Sequence, residues 1–420
     1  MGQSSTLSPY SRYGIGDMDE DPGIQGFSMG NTGAALHGDS VTPYYINLKN
    51  PASVRYNRIT TFEAGVLNNN ISLSSGGTTN TANNTYFGYF AVAMPLGKYA
   101  GFGFGIQPMS SLGYDILTSS NIDSNGVNVG SVSNEYTGTG GINRVFANLA
   151  FSLPIPFFRN LSFGINGSYL FGNLTNTQTV VYPLNYTAFD GIRTTNVNIR
   201  DAYFSYGLMY TLYLPKSWEI VLGGTIAPNA NINASYNLLS TNSMNGIVYD
   251  TIQDSNVNGK LRLPVMYTGG ITIKKGDIFT FTADYSIENW SQYSYFGQQQ
   301  NLSNSTKMGF GFEYHPSKKK KDGTLPYTRR IYYRAGFSYT QSYLDLYNTP
   351  LKEYAFTAGV GLPVGRWAWP WPIVRANVLN LGIQLGQFGT TSNNLLKEEY
   401  FKFMVGITFN DKWFIKRQYE

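Results

Sequence analysis

From Ile59 onward the chain alternates apolar and polar residues with a period of two. Phe279, Phe281, Ala283, Tyr285 and Ile287 are separated by Thr280, Thr282, Asp284 and Ser286; Phe401, Phe403, Val405, Ile407 and Phe409 by Lys402, Met404, Gly406 and Thr408. A strand reads this way when one face meets an apolar phase and the other meets water. Runs of this kind predict strands near 59–67, 84–97, 100–113, 141–154, 160–173, 197–214, 218–229, 259–274, 277–289, 303–315, 329–341, 352–364, 374–388 and 397–409. That is about fourteen, an even number, each near the length that crosses a bilayer at a tilt. The connections alternate as well. Short ones (97–99, 215–217, 275–276) follow even-numbered strands, and long Asn/Ser/Thr/Gly-rich ones (114–140, 182–196, 230–258) follow odd-numbered strands. Tight turns on one rim and long loops on the other are the asymmetry of a transmembrane barrel. Two turns on the short rim, 316–328 and 365–373, are longer. The pattern predicts an all-β fold, a roughly 14-stranded antiparallel transmembrane β-barrel.

The residues ahead of the first strand have no period. Gly30 to Ser53 is too polar and Gly-rich for a strand with an apolar face, and too short to fold alone. It is expected to plug the barrel. The predicted organisation is a plug over 1–57, a barrel over 58–409 and a periplasmic tail over 410–420.

Composition narrows the class. Charged residues are 13% of the chain, against roughly 25% in ordinary soluble domains. Mean hydropathy is −0.22, and no stretch is apolar for long enough to cross as a helix. A closed barrel is then the remaining way to span lipid, since every backbone group must be paired without water. Trp218, Trp290, Trp367, Trp369, Trp371 and Trp413 all fall at or beyond predicted strand ends, where an indole meets the headgroup boundary. With no Cys and two His, disulfides and most transition-metal sites drop out, and no metal or cofactor is expected. The net charge of +5 comes partly from Lys318, Lys319, Lys320 and Lys321 and does not point to nucleic acid. No signal peptide follows Met1, which is expected of a trimmed N-terminus.

Candidate chemistry is sparse. Gly26-Phe27-Ser28-Met29-Gly30 fits G-x-S-x-G, but a nucleophile elbow needs a preceding strand and a His and acid in reach; an enzyme is not expected. The polar strand faces carry Arg144, Arg262, Asp284, Lys307, Glu313, Arg334, Glu353, Arg375 and Lys402. With both signs present, they are expected to pair across the lumen and with Arg12, Asp17 and Asp39 of the plug; an ion-selective path is the other reading. Lys318–Lys321, with Trp367, Trp369, Trp371 and Trp413, would offer a periplasmic docking surface. Pro108 removes a ladder donor inside a predicted strand, so either the wall parts there or the strand ends above the membrane.

The run Gly30-Asn31-Thr32-Gly33-Ala34-Ala35, then Asp39, then Asn50-Pro51-Ala52-Ser53, resembles the hatch of FadL-type outer-membrane barrels, transporters of long-chain fatty acids and other hydrophobic compounds. Gly101 to Pro108, through Gly103, Gly105 and Gln107, followed by Leu112-Gly113-Tyr114, is similar to that family's third strand, whose kink opens a lateral port. Ser8 to Gly14 looks like the start of members with unassigned roles. The resemblance implies a plugged barrel in the outer membrane of a Gram-negative bacterium, passively taking up small hydrophobic compounds through its wall. It also implies an alternative, since relatives of this fold serve as non-conducting subunits of outer-membrane complexes for secretion or barrel assembly. Lipid is then a partner in either case, with a hydrophobic small molecule in the first and other proteins in the second.

Overall fold

The computed structural model describes residues 6–19, 23–38, 45–124, 127–155, 158–183, 188–244, 247–316, 326–364, 377–411 and 413. The strands form a closed antiparallel barrel of fourteen. In chain order they are β1 (Thr60–Ser75), β2 (Thr78–Pro95), β3 (Ala100–Ser124), β4 (Val127–Phe151), β5 (Leu161–Val181), β6 (Asp190–Leu214) and β7 (Trp218–Ala227 continued by Ala230–Met244). Then come β8 (Ile247–Leu263 continued by Met266–Lys275), β9 (Phe279–Glu288), β10 (Ser305–Tyr314), β11 (Tyr332–Leu346), β12 (Thr349–Val364), β13 (Asn377–Gly389) and β14 (Lys397–Asp411). The ring closes where β14 pairs with β1, from Asp411–Thr60 to Lys397–Ser74.

The alternation becomes two environments. Outward-facing Phe204, Phe281, Phe310, Phe356 and Leu385 are exposed, while inward-facing Ser162, Thr282, Ser286 and Asn380 are buried against the plug. An apolar surface of this extent is not tolerated in water, so it faces lipid. Near the short rim, Phe279, Phe312, Tyr314 and Tyr333 stack along the wall at centroid distances of 5.1–6.5 Å. Trp218 stands on the same rim under the Lys275 ammonium.

The wall is uneven. β9 and β10 have 10 residues each, just enough to span. β3, β4 and β6 have 25 each, so more than half of each stands outside the bilayer. The expected long loops 114–140, 182–196 and 230–258 are therefore largely the tops of hairpins. Their outward side chains mix polar residues with apolar ones such as Leu117, Ile247 and Ile252, because no single apolar phase lies against either face, and the period-two signal fades.

Three further corrections follow. Trp290, expected at the membrane boundary, is wholly buried: it follows the short β9 and folds into the lumen, where its ring lies 4.5 Å from that of Tyr343. Arg262 points outward between buried Leu261 and Leu263, because the break at Pro264-Val265 inverts the inside–outside parity of upper β8. The final strand runs to Asp411, not Phe409. Asp39, Lys318–Lys321, Trp367, Trp369, Trp371 and Arg375 lie outside the described residues.

Inside, the plug comprises a 3₁₀ turn Pro9–Arg12, a two-residue strand Asp17–Met18, a short helix Gly23–Phe27 and a 3₁₀ turn Pro51–Tyr56. The extracellular half of the lumen holds a large apolar cluster. Tyr10 and Ile15 of the plug, with Trp290, Tyr293 and Tyr343, pack against wall residues such as Met109, Leu170, Ile199 and Leu261.

Candidate functional site

The plug is fixed by wall groups that satisfy its turns. Asp284 on β9 accepts the N–H of Gly33 at 2.7 Å and of Ala34 at 2.9 Å, with the Lys49 ammonium 3.3 Å away. Asn50 caps the turn Pro51–Tyr56 by accepting from the Ala52 N–H at 3.0 Å, and donates to Ala34 O at 2.6 Å and to Leu208 O of β6 at 3.2 Å. Pro51 needs no partner as the first residue of that turn. Buried Ala52 lies so close to β5 that a Cβ on Gly164 would sit 2.3 Å from its nitrogen. Gly30 has φ +68°, and a Cβ there would come within 2.4 Å of Phe310 O and 2.5 Å of Phe337 O. Only glycine allows this turn to lie flat on the wall. The Gly- and Ala-rich sequence is thus what close backbone contact demands.

The lumen charges are brought into small groups. Arg334 Nε meets Glu313 at 2.7 Å and its Nη1 donates to Asn380 at 2.8 Å. Lys307 meets Glu288 at 2.9 Å. Tyr400 donates to Glu353, and the Lys402 ammonium lies 4.7 Å above the Tyr400 ring. Arg144 is buried on β4. His37 stacks on Tyr56 with centroids 3.9 Å apart and faces Glu219 at 3.3 Å. Of the plug residues expected to join these groups, Arg12 is exposed and lies over Tyr13, and Asp17 is described below. Glu63, Glu219, Lys274 and Glu288 were missed, although they occupy inward positions of predicted strands and strict parity would have found them. Ser28 closes a helical turn by donating to Ile24 O at 2.9 Å, so G-x-S-x-G here follows a helix rather than a strand.

Among the described pairings the ladder between β2 and β3 breaks off early. β2 and β3 pair from Pro95–Gly101 only to Phe90–Ile106. Beyond that, Thr78–Tyr89 and Gln107–Ser124 share no ladder among the described pairings. Pro108 stands two residues past the last pair, where the β3–β4 register also shifts between Pro108 and Ser110. Gly103 and Gly105 lie just below the parting, where a Cβ on Gly105 would approach Phe90 O to 2.3 Å. Buried Gln107 faces inward.

Plug residues Asp17 and Met18 fill the inner side of the gap, pairing antiparallel with Ser111 and Ser110 of β3. The Asp19 N–H donates to Met109 O at 3.0 Å, and Ser111 donates to the Asp19 carboxylate at 2.9 Å. Asp17 accepts from Thr6 at 2.5 Å. Burial pushes its carboxyl up to about 7, against the pull of Thr6 and Lys402. A strand of two residues gives no periodic signal, which is why Met18 escaped the sequence.

Three cavities meet at this septum. One of about 80 Å³ lies directly behind the gap, with Met18, Phe27, Leu48, Tyr86, Gln107 and Pro108 on its walls. A second of about 120 Å³ reaches Arg144, Glu288 and Lys307. A third of about 160 Å³ reaches Glu353, Glu398 and Lys402. The first joins apolar walls to Asp19, Gln107, Gln384 and Lys402, and the other two likewise mix apolar and charged residues.

Solved structures of similar fold include a Pseudomonas aeruginosa FadL homologue (12% identity, TM-score 0.59, covering 94% of this chain and 99% of that one). The CymD monoaromatic hydrocarbon channel is similar too (13%, 0.58, 93% and 98%), as is the Ralstonia pickettii toluene transporter TbuX (17%, 0.56, 93% and 98%). No curated protein matches the chain. The FadL likeness therefore holds for the fold, a plugged fourteen-stranded barrel. At the level of sequence a family model described as BamG matches residues 1–420, and the chain belongs to the BamG family.

Proposed function

We propose that the chain is an outer-membrane barrel that passes small hydrophobic compounds from the outside through the parting between β2 and β3. One observation carries the reading: the ladder stops at Phe90–Ile106, and a cavity walled in part by Met18, Phe27, Leu48 and Pro108 lies immediately behind it. An apolar compound entering there would leave sideways into lipid without crossing the polar plug. The cavity of about 80 Å³ is about half of the ~150 Å³ that holds benzene in an apolar protein interior. Passage therefore requires the Asp17–Met18 strand to withdraw from Ser110 and Ser111. No covalent chemistry is involved, and the solved channels of this fold, named for monoaromatic hydrocarbons and toluene, support the choice of cargo class.

The test uses the absence of native cysteine. Met18 and Ser110 are direct antiparallel partners, a geometry within disulfide reach. Met18→Cys with Ser110→Cys should block uptake of toluene into vesicles when oxidised and restore it when reduced. Uptake indifferent to oxidation overturns the lateral route.

A second reading is a non-conducting subunit of an outer-membrane protein complex. It is favoured by the septum, where Asp17, Met18 and Asp19 stand half-buried between chambers lined by charged residues, and where the adjoining cavities of about 80, 120 and 160 Å³ are small. Absence of uptake in both redox states, with stoichiometric protein partners retained in mild detergent, would decide for it.

A further inference from the structure

The tall side of the wall ends in a second open edge, far from the parting at Pro108. Upper β8 pairs with β7 along its whole length, from Ile247–Met244 to Leu263–Ala230. On its other side its only ladder among the described residues is with Ser294–Tyr295, at Leu261 and Arg262, extended by the Phe296 N–H donating to Lys260 O at 3.1 Å. The next strand, β9, stops at Glu288, too short to cover it. Backbone from Ile247 to Gly259 thus presents an unpaired row to the outside of the cell, with all side chains but Ser255 and Gly259 exposed.

Open edges in native proteins are blunted by lysine, proline or bulges. Two register shifts lie between Val248 and Gln253, but Gln253–Gly259 is regular, and Ile247–Gly259 contains no Lys, Arg or Pro. It carries Asp250 and Asp254 among Ile247, Tyr249, Ile252 and Val257. We propose that this edge takes up an extended segment of a partner protein as an added strand, and that the segment carries basic side chains opposite Asp250 and Asp254. Main-chain hydrogen bonds would hold the strand while the alternate side chains select it. A second copy is the wrong occupant. Two barrels inserted in the same orientation can pair these edges only in parallel, which sets each Asp beside its own counterpart, and like charges on adjacent strands repel. The inference goes beyond the lateral route and shares no residue with it.

The test is binding of a synthetic peptide alternating lysine and valine to the full chain in detergent. The controls are the same peptide N-methylated at every second residue and a peptide alternating glutamate and valine. The lysine peptide should bind and slow hydrogen exchange across 253–259. N-methylation should weaken it by at least tenfold, because the backbone donors are gone while the charge remains. Asp250→Lys with Asp254→Lys, both exposed, should do the same. No binding of the lysine peptide, equal binding of its N-methylated form, or a concentration-dependent dimer through this edge each overturns the proposal.

Discussion

Asp284 of the barrel wall and Gly33 of the plug are joined by a 2.7 Å hydrogen bond in which a carboxylate accepts a backbone N–H. The same oxygen takes the Ala34 N–H and faces the Lys49 ammonium. This one side chain therefore neutralises the Lys49 ammonium and satisfies two N–H donors of a plug turn. Asp284→Ala should leave the two N–H groups unmet and Lys49 with the Asn31 carbonyl, 3.1 Å away, in place of a carboxylate. The expected cost is about 2–3 kcal/mol of plug seating, since the partners lose a buried charge-assisted acceptor. Faster hydrogen exchange over residues 24–38, with the barrel strands unchanged, is the measurement. Uniform protection in the variant would show that packing alone seats the plug.

Gly30 makes a sharper case, because its sequence neighbours do not reveal why it must be glycine. Its φ of +68° and the two wall carbonyls within 2.5 Å of any added Cβ act together. Gly30→Ala should cost roughly 1–2 kcal/mol for the backbone conformation alone, and more for the displaced wall. Gly76 is the control: its φ is +56°, but nothing lies within 4 Å. Gly76→Ala should show only the backbone cost. Equal thermal shifts for the two would mean that the close approach to β10 and β11 contributes nothing.

These cases mark how far the sequence could be read. The fourteen strands were legible because lipid on one side and plug on the other force alternation, as from Phe279 to Ile287. Their height was not, since above the membrane both faces of 114–140 meet water or the extracellular core and the contrast disappears. Pro108 could be singled out from its missing N–H, and its neighbourhood is where β2 and β3 separate. The septum could not: Asp17 and Met18 are recognisable only through their partners Ser111 and Ser110, more than ninety positions away. Trp290 misled because its position after a strand is the same whether the chain next turns outward to lipid or inward to Tyr343.

Asp17 predicts how the septum answers to pH. Its carboxyl, pushed from 3.8 up to about 7, keeps in the seated plug a proton that it would release in the withdrawn one. The seated state is thus favoured most below about pH 4, and that advantage is lost as pH rises through about 7. Access from the adjoining cavity moderates the size, to the order of 1 kcal/mol or about fivefold in opening. Hydrogen exchange of residues 8–19, corrected for intrinsic rates, should therefore quicken between pH 5 and pH 8. Asp17→Asn should abolish the dependence, and an unchanged pH profile in that variant would place the responsible group elsewhere.

The medium around the wall can be tested with two residues of like exposure. Phe310 is 52% exposed on β10 and Tyr249 is 62% exposed on upper β8, so accessibility alone predicts similar tolerance of a charge. Phe310, on a strand of 10 residues that has no length to spare outside the bilayer, faces hydrocarbon. Tyr249, near the tip of the long hairpin, faces water. Phe310→Arg should cost about 2–4 kcal/mol, the penalty for arginine near a bilayer midplane. Tyr249→Arg should cost no more than about 1 kcal/mol, the loss of its ring contact with Phe189 at 5.3 Å included. Reversible unfolding in lipid vesicles gives both values. Two small effects would mean that the Phe-rich face does not meet lipid, and the spanning barrel would fall with it.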